Sequence, residues 1–141
     1  MKHLLFLFTV MALLSSCSEK DPIDNEKGIF QVNCFYTTEN NPTVKTPDAQ
    51  SKVFIYYGHN SLNYAYFSYE GEGRLVNGDS TILPDQTATI EADGTVVIQL
   101  EQVEKSFNFL VESNYYRKIS SGSFPKRATY DKIVSTVIFN P

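Results

Sequence analysis

After residue 28, apolar and polar positions alternate in short segments, a period of two that is typical of half-buried β-strands. The segments with the clearest alternation or apolar content are 30–36, 52–57, 95–100, 107–112 and 133–139. Weaker strands are predicted at 62–69, 74–76 and 87–91. Turn signals such as Asn77-Gly78 and Asp93-Gly94 separate several of these segments. No segment after residue 28 has the sustained three- and four-residue apolar spacing of a helix.

Seven or eight short strands, with turn signals about every ten residues, predict an all-β fold, a single antiparallel β-sandwich over residues 28–141. Two segments are predicted to be loops. Residues 37–50 contain Asn40-Asn41-Pro42 and Thr46-Pro47-Asp48, and residues 120–127 contain Gly122 and Pro125. The strand order stays open, because immunoglobulin-like and prealbumin-like sandwiches share this pattern.

The first seventeen residues have a different pattern. Lys2 and His3 precede an apolar run over residues 4–14, and Leu14-Ser15-Ser16-Cys17 follows directly. About eleven apolar residues are too few to cross a hydrocarbon core, which needs about twenty. A positive start, a short apolar run and small residues before the cleavage point are typical of a secretory signal, so residues 1–16 are predicted to be removed.

This segment resembles the bacterial lipoprotein signal, in which the cysteine that ends the lipobox is acylated and becomes the mature N-terminus. The resemblance implies a lipid on Cys17 and a membrane anchor, since two or more acyl chains hold firmly. Ser18 in place of aspartate implies sorting to the outer membrane. Glu19 and Asp21 are similar to the acidic tag that sends some lipoproteins to the outer surface, although the side of the membrane stays open. Residues 17–27 are polar and predict a tether.

The domain also resembles prealbumin-like modules of the carboxypeptidase-regulatory and collagen-adhesin B type. The similarity rests on residues 47–56, on the Asp93-Gly94 turn with its flanking strands and on the aromatic segment 107–116, and it covers residues 28–139. An adhesin-type isopeptide bond is not expected, because residues 30–36 contain no lysine. The transthyretin-related hydrolases need several histidines, whereas His59 is the single histidine after the signal.

Charge and cysteine content exclude several functions. The net charge is −4 with no basic block, so nucleic acid is not an expected partner. Once Cys17 carries lipid, Cys34 is alone, which leaves no intramolecular disulfide and no Cys/His metal set. Cys34 is predicted to be a small buried hydrophobe, because no histidine or lysine lies in register to activate its thiol. No cofactor or metal is expected.

No catalytic residue is predicted. His59 lies in a turn signal, and Glu70 and Glu72 flank Gly71 in what reads as a solvated bend. Asp79, Asp85 and Asp93 also lie in turns, where their oxygens would accept hydrogen bonds from nearby backbone. A hydrolase with spatially paired carboxylates is the third and least favoured hypothesis.

Tyrosine is the most distinctive residue type. The chain has nine tyrosines and no tryptophan. Alternation cannot bury all of them on one face, so several are expected near the surface, where their rings suit sugars or a protein partner. The alternative is that tyrosine is simply favoured in half-buried strands. The predicted ligand-binding residues are Tyr56, Tyr64, Tyr66, Tyr69, Tyr115 and Tyr116.

Together these patterns predict a non-enzymatic, lipid-anchored module of the cell envelope. In the leading hypothesis an exposed tyrosine face binds a glycan. In the alternative the domain is an accessory subunit that docks on a larger outer-membrane complex.

Overall fold

A computed structural model of the protein describes residues 28–59, 62–126 and 132–141. The predicted signal peptide, Cys17 and the tether lie outside the described residues. The strands are β1 (Ile29–Thr38), β2 (Asn41–Pro47), β3 (Lys52–Tyr57), β4 (Ser68–Tyr69), β5 (Leu75–Asn77), β6 (Ser80–Ile82), β7 (Gln86–Thr89), β8 (Thr95–Gln99), β9 (Phe107–Glu112), β10 (Ile119–Phe124) and β11 (Lys132–Phe139). A 3-10 helix spans Tyr64–Tyr66. In this described part, no helix has the length and apolar character needed to cross a membrane.

Strand β1 is the centre of the first sheet, sheet A. One edge of β1 pairs with β11 in parallel along residues 29–36. The other edge is shared by two antiparallel strands, because β8 pairs with residues 29–33 and β2 pairs with residues 35–38. Since β1 runs through the whole sheet, it gives the domain a direction, from Gly28 at one end to Thr38 at the other.

Sheet B has the order β10-β9-β3-β7 and is antiparallel throughout. Sheets A and B face each other across a shared apolar core. This core comprises Phe30, Val32, Cys34, Val53, Ile55, Tyr57, Ile90, Val96, Ile98, Leu100, Phe107, Phe109, Val111, Ile133, Val137 and Phe139. The predicted all-β sandwich is therefore confirmed, with two additions: β11 runs parallel to β1, and the described strands number eleven. The prealbumin-like resemblance stays a prediction.

A third layer covers the other face of sheet B. It is formed by residues 62–82, which include the 3-10 helix and a small sheet C with the order β4-β5-β6. Phe54, Leu62, Leu75 and Leu110 are among the buried residues of this second cluster. As a result β3 and β9 are buried on both faces. Within the described residues, the outer face of sheet A has no such cover and exposes Val97 and Val134.

Two segments predicted to be loops contain strands. Residues 41–47 form β2, whose first five residues are exposed, so the segment shows no alternation of buried and exposed positions. Residues 119–124 form β10, an edge strand rich in serine. Gly122 is required there because the ring of Phe109 lies against it, and an added Cβ would be 2.4 Å from that ring. Edge strands can form without an apolar series, which is why the pattern missed both.

The strand predicted at 62–69 is wrong over most of its length. The side chain of Asn63 accepts a hydrogen bond from the N–H of Ala65 (3.2 Å) and begins the 3-10 helix. Only Ser68–Tyr69 is extended and paired, as β4. The apolar residues of this segment pack against sheet B as part of an irregular layer, so they do not need to alternate as they would in a strand.

Candidate functional site

The six tyrosines predicted to bind a ligand lie in two groups. Tyr56, Tyr64, Tyr66 and Tyr69 belong to sheet B and its covering layer, and Tyr115 and Tyr116 lie in the turn between β9 and β10. Two of the six are exposed, Tyr66 at 70% and Tyr115 at 53%. The structure therefore does not bring the six rings together into one exposed face.

Three of these tyrosines fasten the covering layer through their hydroxyl groups. Tyr56 is completely buried and donates to the carbonyl of Gly73 (2.5 Å). Tyr64 donates to the carbonyl of Phe109 (3.2 Å). Burial raises the pKa of both hydroxyls above the ordinary value, so they remain donors. Tyr69 donates to Glu112 (2.6 Å). Tyr56, being enclosed, has no surface to offer a ligand.

An aromatic stack lies where β1 finishes. The rings of Tyr36 and Tyr115 are parallel within 7°, with centroids 3.9 Å apart. Tyr116 packs edge-on against both. Its hydroxyl donates to the carbonyl of Thr37 (2.6 Å), and Lys118 Nζ lies 5.1 Å from its ring centroid. We call this end of the sandwich, formed by residues 36–38, 48–51 and 113–118, the distal end.

The sequence did not single out Tyr36 as a site residue. It ends the apolar series of the first strand, so it reads as a core position. Its partner Tyr115 lies 79 residues away, and only the pairing of the two sheets brings the rings together. The one sequence feature that could have indicated a site role for Tyr36 is its position at the end of a strand, where a tyrosine often lies at the edge of the core.

A buried carboxylate holds the turn that carries Tyr115. Asp48 is 2% exposed, and its Oδ1 accepts from the backbone N–H of Tyr115 (3.1 Å). Asp48 Oδ2 accepts from the hydroxyl of Ser113 (2.5 Å), which in turn accepts from the N–H of Tyr116 (2.9 Å). The loop between β2 and β3 thus locks the turn between β9 and β10, and the aromatic stack is held in a defined geometry.

A polar cleft of about 80 Å³ opens at the same end. It is lined by Gln50, Lys52, Glu72, Glu112, Ser113, Asn114 and Arg117. Lys52 Nζ contacts both carboxylate oxygens of Glu72, at 2.7 and 2.6 Å. Glu112 accepts the hydrogen bond from Tyr69 with Oε2. Sequence patterns gave no sign of this cleft, because its residues come from three separate segments of the chain.

Unusual backbone conformation is concentrated in this cleft. Gln50, Glu72 and Arg117 have φ angles of 67°, 51° and 56°, and they are the non-glycine residues with positive φ in the described chain. All three line the cleft. The left-handed conformation costs about 1–2 kcal/mol for a residue with a Cβ. Such strain gathers at functional sites, where the surrounding structure holds it in place.

The groups considered for catalysis have structural roles. Asp93 accepts from the N–H of Thr95, the local hydrogen bond that its turn position predicted. Asp85 instead accepts from the N–H of Tyr57 in β3, which is distant in the sequence. Glu70 forms an ion pair with a residue four positions later. His59 is exposed. Of the groups considered, Glu72 is the one that lines the cleft.

Cys34 is completely buried in the shared core, so its predicted role as a small hydrophobe is confirmed. Burial raises the pKa of its thiol to about 12, and the thiolate needed for reactivity is scarce at neutral pH. In residues 28–59, 62–126 and 132–141, no three His, Cys, Asp or Glu side chains are grouped to hold a metal ion.

No protein-family model, curated protein or solved structure matches this chain.

Proposed function

We propose that this chain is a non-enzymatic, lipid-anchored binding module of the bacterial cell envelope, and that its distal end recognises a glycan. The observation that carries the proposal is the stack of Tyr36 on Tyr115, with Tyr115 half exposed. A tyrosine ring offers flat apolar surface to the C–H face of a sugar, and its hydroxyl offers a hydrogen bond. Because Tyr36 and the locked turn already hold Tyr115, little side-chain entropy is lost on binding.

The direction of β1 is consistent with an anchor at Cys17. From Gly28 to Tyr36 the chain advances roughly 25 Å at the usual rise of a strand. A lipid on Cys17 would connect to the domain at Gly28, so the distal end would lie on the side away from the anchor. The lipobox resemblance supports placing the anchor in the outer membrane.

Replacing Tyr115 with alanine tests the glycan-binding surface. We expect wild-type protein to bind at least one of mannan, arabinogalactan, pullulan and polygalacturonate. Tyr115→Ala should weaken that binding about tenfold or more, since the change removes a central aromatic contact. Isothermal titration calorimetry measures both affinities. Tyr66→Ala is the matched control, because Tyr66 is also exposed but lies in the covering layer.

Two results would contradict this assignment. Binding that survives Tyr115→Ala, or that depends on Tyr66, would place the surface elsewhere. A wild-type protein that binds none of the four polysaccharides would remove support for a glycan ligand.

The proposed anchor depends on a single side chain. Cys17→Ser should move the protein from the membrane fraction to the soluble fraction and abolish incorporation of labelled palmitate, because no acyl chain can attach. Cys34→Ser is the control and should leave both unchanged. Immunoblots of separated envelope fractions measure the distribution. Retention of Cys17→Ser in the membrane fraction would rule out a lipid anchor.

One observation favours the alternative, an accessory subunit that docks on a larger envelope complex. The outer face of sheet A exposes Val97 and Val134, which lie opposite Gln31 on its two sides. A photo-crosslinking residue at position 97 should then capture a partner protein in intact cells, whereas one at position 115 should not. The reverse result would count against docking through this face.

A further inference from the structure

The cleft at the distal end contains both occupied and unoccupied polar groups. Lys52 and Glu72 neutralise each other through two close contacts. Glu112 uses Oε2 to accept from Tyr69, and its Oε1 has no hydrogen bond within the described residues. The guanidinium of Arg117 likewise has no ion pair in the part of the chain that the structure describes. The cleft therefore presents one strong acceptor and one strong set of donors.

The Glu112 carboxylate and the backbone of Arg117 are held in place. The backbone N–H of Arg117 donates to the carbonyl of Ser113 (3.1 Å), which keeps Arg117 in its left-handed conformation. Burial and the Glu112 carboxylate raise the pKa of Tyr69 above its ordinary value, so Tyr69 remains the donor that orients Glu112. A glycine would adopt the φ of Arg117 without strain. Arg117 therefore carries a backbone strain that a glycine would not.

We propose that this cleft binds the vicinal hydroxyl pair of a neutral sugar. Arg117 donates hydrogen bonds to the sugar oxygens, and Glu112 Oε1 accepts from one of the sugar hydroxyls. The site deepens the proposed glycan-binding function and rests on it. A volume of about 80 Å³ has room for a few water molecules, and so for the hydroxyl edge of a sugar ring that displaces them.

The charges of the cleft favour a neutral ligand. Two cations and two carboxylates line it, so their net charge is zero. A uronate carboxylate could pair with Arg117, but it would then lie in the same small cleft as Glu112, which has no ion pair among the described side chains. A neutral diol matches both open groups, because each hydroxyl both donates and accepts.

The cleft and the aromatic stack are parts of one turn. Asn114 and Arg117 line the cleft, and Tyr115 between them carries the exposed ring. A glycan that places one unit in the cleft can therefore extend along the turn and lay a neighbouring unit on Tyr115. This arrangement predicts that binding requires more than a single aromatic contact.

The test uses the mature lipidated chain in nanodiscs and saturation-transfer difference NMR, which detects weak binding. The probes are methyl α-mannopyranoside, methyl β-galactopyranoside, methyl β-glucopyranoside and galacturonate. We expect transfer to at least one neutral glycoside, strongest at the ring protons of its vicinal diol, and none to galacturonate. Glu112→Gln and Arg117→Gly should each weaken that binding about tenfold, the effect of losing one charged hydrogen bond.

Melting curves separate binding from folding. Arg117→Gly should melt at the same or a higher temperature than wild type, because it removes the left-handed strain, while its binding falls. Glu70→Gln is the control for charge loss outside the cleft and should keep wild-type binding. The inference fails if only galacturonate binds, or if both cleft variants bind as wild type does.

The outcome also distinguishes this inference from the proposed function. Polysaccharide binding that is lost in Tyr115→Ala but kept in Glu112→Gln and Arg117→Gly would overturn the cleft site and leave the glycan-binding module standing. A wild-type protein that binds neither polysaccharide nor monosaccharide would overturn both.

Discussion

Phe30→Ala is expected to lower the free energy of unfolding by about 4 kcal/mol, within the range for removing a buried aromatic side chain. Phe30 lies in β1 of sheet A and is completely buried. Its ring contacts three rings of sheet B, with centroid distances of 5.2 Å to Phe107, 5.1 Å to Phe109 and 5.7 Å to Phe124. Alanine would remove these aromatic contacts between the two sheets and leave a cavity that β1, paired along both edges, cannot close.

Urea denaturation followed by far-ultraviolet circular dichroism measures this loss, in a Cys17→Ser background that avoids the lipid. Val97→Ala is the control, because Val97 is an apolar residue of the same sheet that is 60% exposed. It should change stability by about 0.5 kcal/mol or less. If Phe30→Ala and Val97→Ala lowered the free energy of unfolding by similar amounts, the two sheets would not pack around Phe30.

Asp48→Ala should cost about 3 kcal/mol, and it should also weaken glycan binding. Hydrogen bonds to a charged group contribute about 1.5–3 kcal/mol each, and Asp48 accepts one from Ser113 and one from the N–H of Tyr115. Both partners lie in the turn of the distal end, so the variant leaves that turn without its lock. Tyr115 would then lose the fixed position in which it stacks on Tyr36.

Denaturation and calorimetry together test this prediction. Asp93→Ala is the matched control, since Asp93 is an exposed turn aspartate whose Oδ1 accepts from Thr95 (2.8 Å). It should lose little stability and no affinity. The stability and the glycan affinity of Asp48→Asn should lie between those of wild type and Asp48→Ala, because the amide oxygen can still accept from the N–H of Tyr115. If Asp48→Ala binds glycan as wild type does, the turn does not need this carboxylate for function.

Whether a strand could be predicted from the sequence depended on which of its faces are buried. Strands β1, β8 and β11 lie in sheet A, which has one core face and one outer face, so their buried positions largely alternate. The alternation of β1 breaks after Cys34, where Thr37 is buried and Tyr36 is only partly buried. Strand β3 was found as a continuous apolar run, in agreement with its burial on both faces. Strands β2 and β10 were missed for different reasons. β2 is exposed over its first five residues, whereas β10 alternates but has Ser120, Gly122 and Phe124 at its half-buried positions, which is not an apolar series.

Asn108 shows why alternation predicted too simple a structure. Alternation along β9 predicts that Phe107, Phe109 and Val111 face inward and that Asn108 faces outward. It is completely buried, and it donates to the carbonyl of His59 (2.8 Å) and accepts from the N–H of Leu62 (3.0 Å). Asn108 is buried because residues 62–82 cover this face of sheet B. The apolar pattern of residues 62–82 does not show which surface they pack against.

The candidate site was predicted in part. Tyr115 and Tyr116 were proposed as binding residues from composition alone, and they do lie at the distal end. Tyr56 and Tyr64 were proposed on the same ground but support the covering layer through buried hydroxyls. Composition could not separate these cases, since a buried tyrosine and an exposed one look the same in a sequence.

The amino-acid sequence by itself determined the all-β class, the positions of the main strands and the burial of Cys34, because these depend on local periodicity. It also carries the lipobox on which the anchor is proposed. The tertiary structure decided the rest: the parallel pairing of β11 with β1, the cover on sheet B and the approach of Tyr36 to Tyr115. It also gathered Gln50, Glu72 and Arg117 in one cleft. These contacts join segments far apart in the chain, and their geometry is set by how the sheets pack.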